Sequence, residues 1–281
     1  MSNLPGDSPA PSPTPSPTLS PAAFLIRGLA VGVVAGLIAF VVAFAFGEPQ
    51  VDDAIALEEA AAAQLSPAEV AAEEAAAAEE DHAGMVEVSR DDQKSWGLLT
   101  GMLAVGAALG GLASLAAAAA LGRLGRLSAR GSTALVVLIG FVAVALVPFA
   151  KYPATPPAVG SGDTIGGRTA AYFGLLLVSV LAAIAVVVLA NRLAARFDGW
   201  TAAFLAAGAY LVIVTVTALL LPTVNELGDF PADTLWYFRR ASLITLAVLW
   251  AAIGVGLTAL VGRMTDQASA ETARRELAAS L

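Results

Sequence analysis

The sequence contains no cysteine and a single histidine, His82. Without cysteine, neither a disulfide framework nor a thiolate metal site can form. Charge is scarce as well. Charged residues make up 14% of the chain, against about 25% in a soluble domain, so most of the surface must face something other than water. No Asp, Glu, His or Lys lies near the middle of any long apolar run. Proton relays and ion-coupling sites normally need such groups. Intramembrane proteolysis by an aspartate pair or a zinc site is excluded on the same ground. There is no Gly-x-x-x-x-Gly-Lys-[Ser/Thr] phosphate loop, which removes ATP hydrolysis by that route. No nucleophile–base pair is evident, so no enzyme activity is expected. The net charge of −8 argues against nucleic acid as a partner.

What the chain does have is apolar length. Hydrophobic residues reach 58% and mean hydropathy is +0.77. Six runs approach or exceed the roughly 20 apolar residues needed to cross a bilayer. They extend from Ala23 to Phe46, Trp96 to Leu121, Thr133 to Ala150, Thr169 to Ala190, Trp200 to Leu221 and Ala241 to Val261. The expectation is an all-α, polytopic membrane protein with six transmembrane helices over residues 23–263. A proline-rich tail (1–22) and a short C-terminal tail (264–281) flank it. Proline at nearly every second position of the N-terminal tail excludes helix and sheet, leaving an extended, solvated segment.

Positive charge sets the expected orientation. With both termini in the cytoplasm, nine Lys and Arg residues lie inside and six outside. The short loops Leu-Gly-Arg-Leu-Gly-Arg (121–126) and Asn-Arg-Leu-Ala-Ala-Arg (191–196) carry no acid, which fixes them to the inner side. A plasma (inner) membrane location, with lipid as a partner, follows. The first outer loop (47–95) then holds fourteen of the 23 acids. Its Ala- and Glu-rich stretch favours helix. Ser66-Pro67-Ala68-Glu69 reads as a capping box with proline at the first helical position. Two short helices with a break at Ser66 are expected.

Glycines recur every fourth residue at Gly28, Gly32 and Gly36, at Gly97 and Gly101, and at Gly106 and Gly110. That spacing lays a flat stripe on one helix face and favours close helix packing in lipid. A pore lined by glycine backbone is the sharper alternative.

Chemistry-bearing residues collect on the outer side. Glu79 and His82 are three apart, so a helix would place them on one face. Carboxylate and imidazole suit Co²⁺, Ni²⁺ or Zn²⁺; a solvated acidic helix with an incidental histidine is the plain alternative. The acids as a whole would also concentrate cations near the membrane. Lys151 and Tyr152 sit where interfacial anchors belong, as do Trp236 and Tyr237. Arg239 and Arg240 run against the positive-inside trend, and Glu48, Asp52 and Glu226 are the acids available to pair with them.

Three ordered outer motifs make the chain similar to a known family. They are Gly-Glu-Pro-Gln-Val-Asp-Asp-Ala-Ile-Ala-Leu-Glu (47–58), Pro-Phe-Ala-Lys-Tyr-Pro-Ala-Thr-Pro-Pro-Ala-Val-Gly (148–160), and Leu-Pro-Thr-Val-Asn-Glu (221–226) with Phe-Pro-Ala (230–232) and Leu-Trp-Tyr-Phe-Arg (235–239). Over residues 23 to 263 the chain resembles the CbtA family of predicted cobalt transporter membrane subunits. The resemblance implies uptake of cobalt, a small one-span CbtB-like partner, and a link to cobalamin synthesis. It places Glu48, Asp52, Glu58, Lys151, Tyr152, Asn225, Glu226 and Arg239 at motif positions. The chain departs from the pattern in having only His82 where many relatives have a histidine-rich loop, and Thr155 where asparagine is expected. The resulting expectation is a subunit for uptake of a divalent transition metal, Co²⁺ (or Ni²⁺) as transported ion, with no permanently bound cofactor. Metal ligands would come from Glu48, Asp52, Glu58, Glu79, His82 and Glu226. Lys151, Tyr152, Asn225 and Arg239 would form a charge network around an outer vestibule. The alternative is a non-transporting sensor or scaffold whose acidic loop binds a partner protein.

Overall fold

A computed structural model describes residues 20–64, 66–68, 88–160 and 162–280. Six helices in it are long and apolar enough to cross a membrane: α1 (Pro21–Ala62), α2 (Arg90–Ala120), α3 (Ala129–Lys151), α4 (Ile165–Leu193), α5 (Gly199–Leu220) and α6 (Ala232–Ala279). Among the described residues there is no strand, and the all-α, six-span expectation is met. With an even number of spans, the start of α1 and the end of α6 lie at one end of the bundle, here the terminal face. The connections after α3 and α5, with the end of α1 and the start of α2, form the opposite loop face. Large apolar side chains point outward into lipid, Leu219, Leu220, Phe204 and Val255 among them, as expected where the solvent is hydrocarbon.

The glycine stripe sets the tightest packing. Gly28, Gly32 and Gly36 of α1 lie directly on Gly106, Gly110 and Ser114 of α2, backbone against backbone. A Cβ at Gly110 would fall 2.6 Å from Gly32 Cα, and one at Gly106 would fall 2.8 Å from Gly36 Cα. Ser114 Oγ adds a cross-helix hydrogen bond to Phe24 O at 2.9 Å. Gly101 belongs to the same repeat in sequence, yet nothing lies within 4 Å of its Cβ position, and Gly97 meets only its own helix. The stripe is thus used by half of α2, and it lines no pore. Helix α6 packs on α1 and α3, burying Leu249, Trp250, Ile253 and Leu257 in the main core.

Three π-helical segments interrupt the spans: Ala43–Gly47, Gln93–Gly97 and Phe141–Leu146. Two have a visible cause. Pro49 and Pro148 follow the first and third, and a proline ring clashes with the carbonyl four residues back. Those carbonyls, on Ala45 and Val144, lie inside the widened turns. In the wider register Val147 N–H bonds Val142 O; the next donor would be Pro148, which has none. Ala143 O is therefore left over in the middle of the membrane. Ser179 of α4 supplies the donor at 2.8 Å, and Tyr210 of α5 closes the chain with an Oη–Oγ bond of 2.7 Å to Ser179. This trio, with Ala182, Ala183 and Val214 around it, attaches the α4–α5 hairpin to α3. Nearer the terminal face, an apolar groove of about 810 Å³ opens between α3, α4 and α5.

Two helices outrun the bilayer. α1 continues through its π segment to Ala62, where the sequence suggested a separate loop helix. The chain is non-helical at Ser66 and helical again at Pro67 and Ala68, which places the expected break where the capping box put it. The second short helix, with Glu79 and His82, lies outside the described residues. α6 has 48 residues, or about 72 Å at 1.5 Å per residue, so residues 264–279 prolong the last span as helix. Met264 and Ala268 are buried, and Arg130 of α3 pairs with Asp266 at 2.7 Å.

Candidate functional site at the loop face

Among the described residues, polar side chains at the loop face form two groups. The first joins α1 and α2. Glu48 and Asp52 are one turn apart on the α1 extension, so both carboxylates face one side. Arg90, capped into α2 by Ser89, reaches across and pairs with both, through Nη2 to Glu48 and through Nη2 (2.9 Å) and Nε (3.1 Å) to Asp52. Glu48 is nearly covered, its side chain 13% exposed, while Asp52 at 48% is open to water. Glu58 lies further along α1, exposed. Among the described residues, no cluster of three or more acidic, histidine or cysteine side chains could hold a metal. The assembled pair is two carboxylates with a resident cation.

The second group is a cavity of about 620 Å³ where the loops after α3 and α5 meet the starts of α4 and α6. Lys151, Tyr152, Glu226 and Arg239, far apart in sequence, all line it, and so does Arg168. The two loops are tied to each other. Tyr152 Oη donates to Pro222 O at 2.8 Å, Lys151 Nζ reaches Thr223 Oγ1 at 3.5 Å, and Arg239 Nε donates to Ala154 O at 3.4 Å. Burial pushes the Tyr152 phenol above its ordinary value, so it stays protonated and keeps donating.

Glu226 takes its ion pair from Arg168, at 3.6 Å, and a hydrogen bond from Thr164 Oγ1 at 2.9 Å. This differs from the sequence expectation, which offered Glu226 to Arg239 or Arg240. The reason is local: α4 begins beside Glu226 and brings Arg168 with it. The Arg168 guanidinium lies against Gly160, whose φ of +107° admits no side chain easily; a Cβ there would sit 2.9 Å from Arg168 Cζ. Arg240 faces the Tyr237 ring instead, 4.8 Å from its centre. Asn225 is exposed on the loop. Lys151, Tyr152 and Arg239 of the expected vestibule network share this cavity with Glu226, whereas Glu48 is absent from its lining and belongs to the α1–α2 group. Arg90 and Arg168 were not singled out from sequence. Their one signal was the presence of cations on an otherwise acidic side.

Comparison with known proteins gives one result. A family model described as "Probable cobalt transporter subunit (CbtA)" matches residues 22–262. No curated protein and no solved structure matches the chain. The match covers all six spans and both polar groups of the loop face. The chain belongs to the CbtA family.

Proposed function

We propose that this protein is a membrane subunit for uptake of Co²⁺, taking the cation from the outer face. The observation that carries the reading is the family match across the whole membrane domain. The proposed orientation puts the loop face outside a plasma membrane and both termini in the cytoplasm, from the excess of Arg in the short loops. A subunit implies partners, and a small one-span CbtB-like chain is the proposed one.

Capture begins at Glu48 and Asp52. Oxygen donors accept divalent first-row metals, with geometry and availability rather than raw affinity selecting among them. Arg90 occupies that pair as a tethered counter-charge, so an arriving cation exchanges with it, entering past the exposed Asp52. Glu58, and Glu79 with His82 from the sequence, would hand the ion toward this pair. Glu226 serves less well as a ligand, because Arg168 and Thr164 already hold it. Energy must come from the membrane potential, a gradient or a partner.

Radiocobalt accumulation in cells dependent on this protein tests the reading. Glu48→Gln combined with Asp52→Asn should lower uptake several-fold at limiting metal and little at high metal. Unchanged uptake at limiting metal would remove capture by this pair. Loss of cobalt dependence altogether would favour a non-transporting role.

A further inference from the structure

By its described lining residues, the cavity between the loops after α3 and α5 has the wrong charge for a bare cation. Lys151, Arg168 and Arg239 face it with Glu226 as the acid among the described lining residues, leaving two positive charges over. Glu226 is engaged with Arg168. Among the described residues no carboxylate lies within ion-pair distance of Lys151 or Arg239, whose hydrogen bonds go to a threonine hydroxyl and a backbone carbonyl. A divalent metal ion placed here would be repelled.

Size points the same way. Six waters at about 30 Å³ each make a hydrated ion of about 180 Å³, roughly a third of the cavity's 620 Å³. Pockets of about 300–1,000 Å³ are those that take small organic molecules. The walls are mixed, with Tyr172, Phe173 and Leu227 beside the charged groups, as such ligands need. Arg168 is set by Glu226 and by the absence of a side chain at Gly160, and the two loops are bonded to each other. The cationic groups are therefore held in place before any ligand arrives, which reduces the ordering cost of binding.

We propose that this cavity binds a small polycarboxylate anion, with Lys151 and Arg239 contacting its carboxylates. Such an anion has two sources: the free acid, or a metal chelate that keeps net negative charge. The inference goes beyond the uptake reading and does not depend on it, because uptake of a simple cobalt salt is a separate measurement.

The test uses the full chain in lipid nanodiscs and calorimetric titration with citrate, cobalt–citrate, cobalt chloride and inorganic phosphate. A charge-assisted hydrogen bond contributes about 1.5–3 kcal/mol, and 1.4 kcal/mol is tenfold in affinity. Lys151→Gln and Arg239→Gln should therefore each weaken binding about tenfold or more, and Arg239→Lys should weaken it less. Binding of citrate alone assigns the site to the free anion; binding of cobalt–citrate only assigns it to the chelate. A second measurement needs no change to the binding groups. Thr155 lines the cavity and the chain has no cysteine, so Thr155→Cys should be protected from maleimide by the bound anion, while Ala62→Cys should not. The proposal is overturned if both charge variants bind as wild type, if phosphate binds as tightly as citrate, if cobalt chloride without citrate protects Thr155→Cys as well as citrate does, or if Thr155→Cys labels at the same rate with and without the anion.

Discussion

Gly110 offers a clean test of how this fold is held together. A methyl group added there would lie 2.6 Å from Gly32 Cα and 2.8 Å from Gly32 N. Ordinary contact needs at least about 3.4 Å, so α1 and α2 must move apart by about 1 Å. Neither obstacle is a side chain that could swing away; both are backbone. A gap of 0.5–1 Å forfeits a quarter to a half of each dispersion contact, and the loss spreads along the whole stripe from Gly28 to Gly36. Overpacking of this kind costs about 1–3 kcal/mol. Gly101→Ala, nine residues back along α2 and beyond Gly106, meets nothing within 4 Å and should gain about 0.4–1 kcal/mol from reduced freedom of the unfolded chain. The two substitutions are chemically identical and should differ in sign. Reversible unfolding by SDS titration in mixed micelles, followed by tryptophan fluorescence, measures both. Should Gly110→Ala stabilise the protein as much as Gly101→Ala does, the backbone-contact account of α1 and α2 would be wrong.

The polar trio should show a graded effect: Tyr210→Phe removes one bond and costs about 0.6 kcal/mol, the mean for such bonds in membranes, whereas Ser179→Ala also strands Ala143 O and should cost about 1–2 kcal/mol. Equal costs in the same SDS titration would show that the carbonyl finds another donor. Orientation is read by impermeant labelling of intact cells, where Ala62→Cys should react and Ala129→Cys should not; the reverse pattern would invert the capture scheme. Asp198, which caps α5, is held below its ordinary value by the Thr201 hydroxyl and the Thr201 and Trp200 N–H groups. Because its folded pKa is depressed, its contribution is present above the unfolded value near ~3.9 and is lost as pH falls through the folded one. Acid unfolding of wild type and Asp198→Asn should therefore diverge above that window and converge below it.

The sequence made the six spans legible because length and apolarity alone decide them, and chain-dependent boundaries hardly matter in hydrocarbon. It did not show how far α1 and α6 continue as helix, since water-exposed Ala- and Glu-rich turns follow on without a stop signal. The π segments were hidden for a different reason. A proline near a span end reads as a stop or a kink, and only the neighbouring Ser179 reveals that Pro148 is accommodated by a wider turn. At the loop face, the motif residues Lys151, Tyr152, Glu226 and Arg239 do share one cavity. Their pairing was not readable, because Arg168 competes for Glu226 through the geometry of the α4 start, and Arg90 claims Glu48 and Asp52 through the pairing of α1 with α2. Partners in an ion pair are chosen by which backbone arrives nearby, and sequence order carries little of that.

The unbroken length of α6 joins the two faces of the bundle by a single element. Arg239, in the wall of the loop-face cavity, and Asp266, bonded to Arg130 at the terminal face, stand on one helix with neither proline nor π segment between them. The 27 residues separating them amount to about 40 Å of rod. Of the other helices, α1, α2 and α3 each carry a wider turn that can absorb a local shift. α6 has no such joint between Arg239 and Asp266, so the wall of the loop-face cavity and the Arg130–Asp266 pair share one continuous stretch of helix.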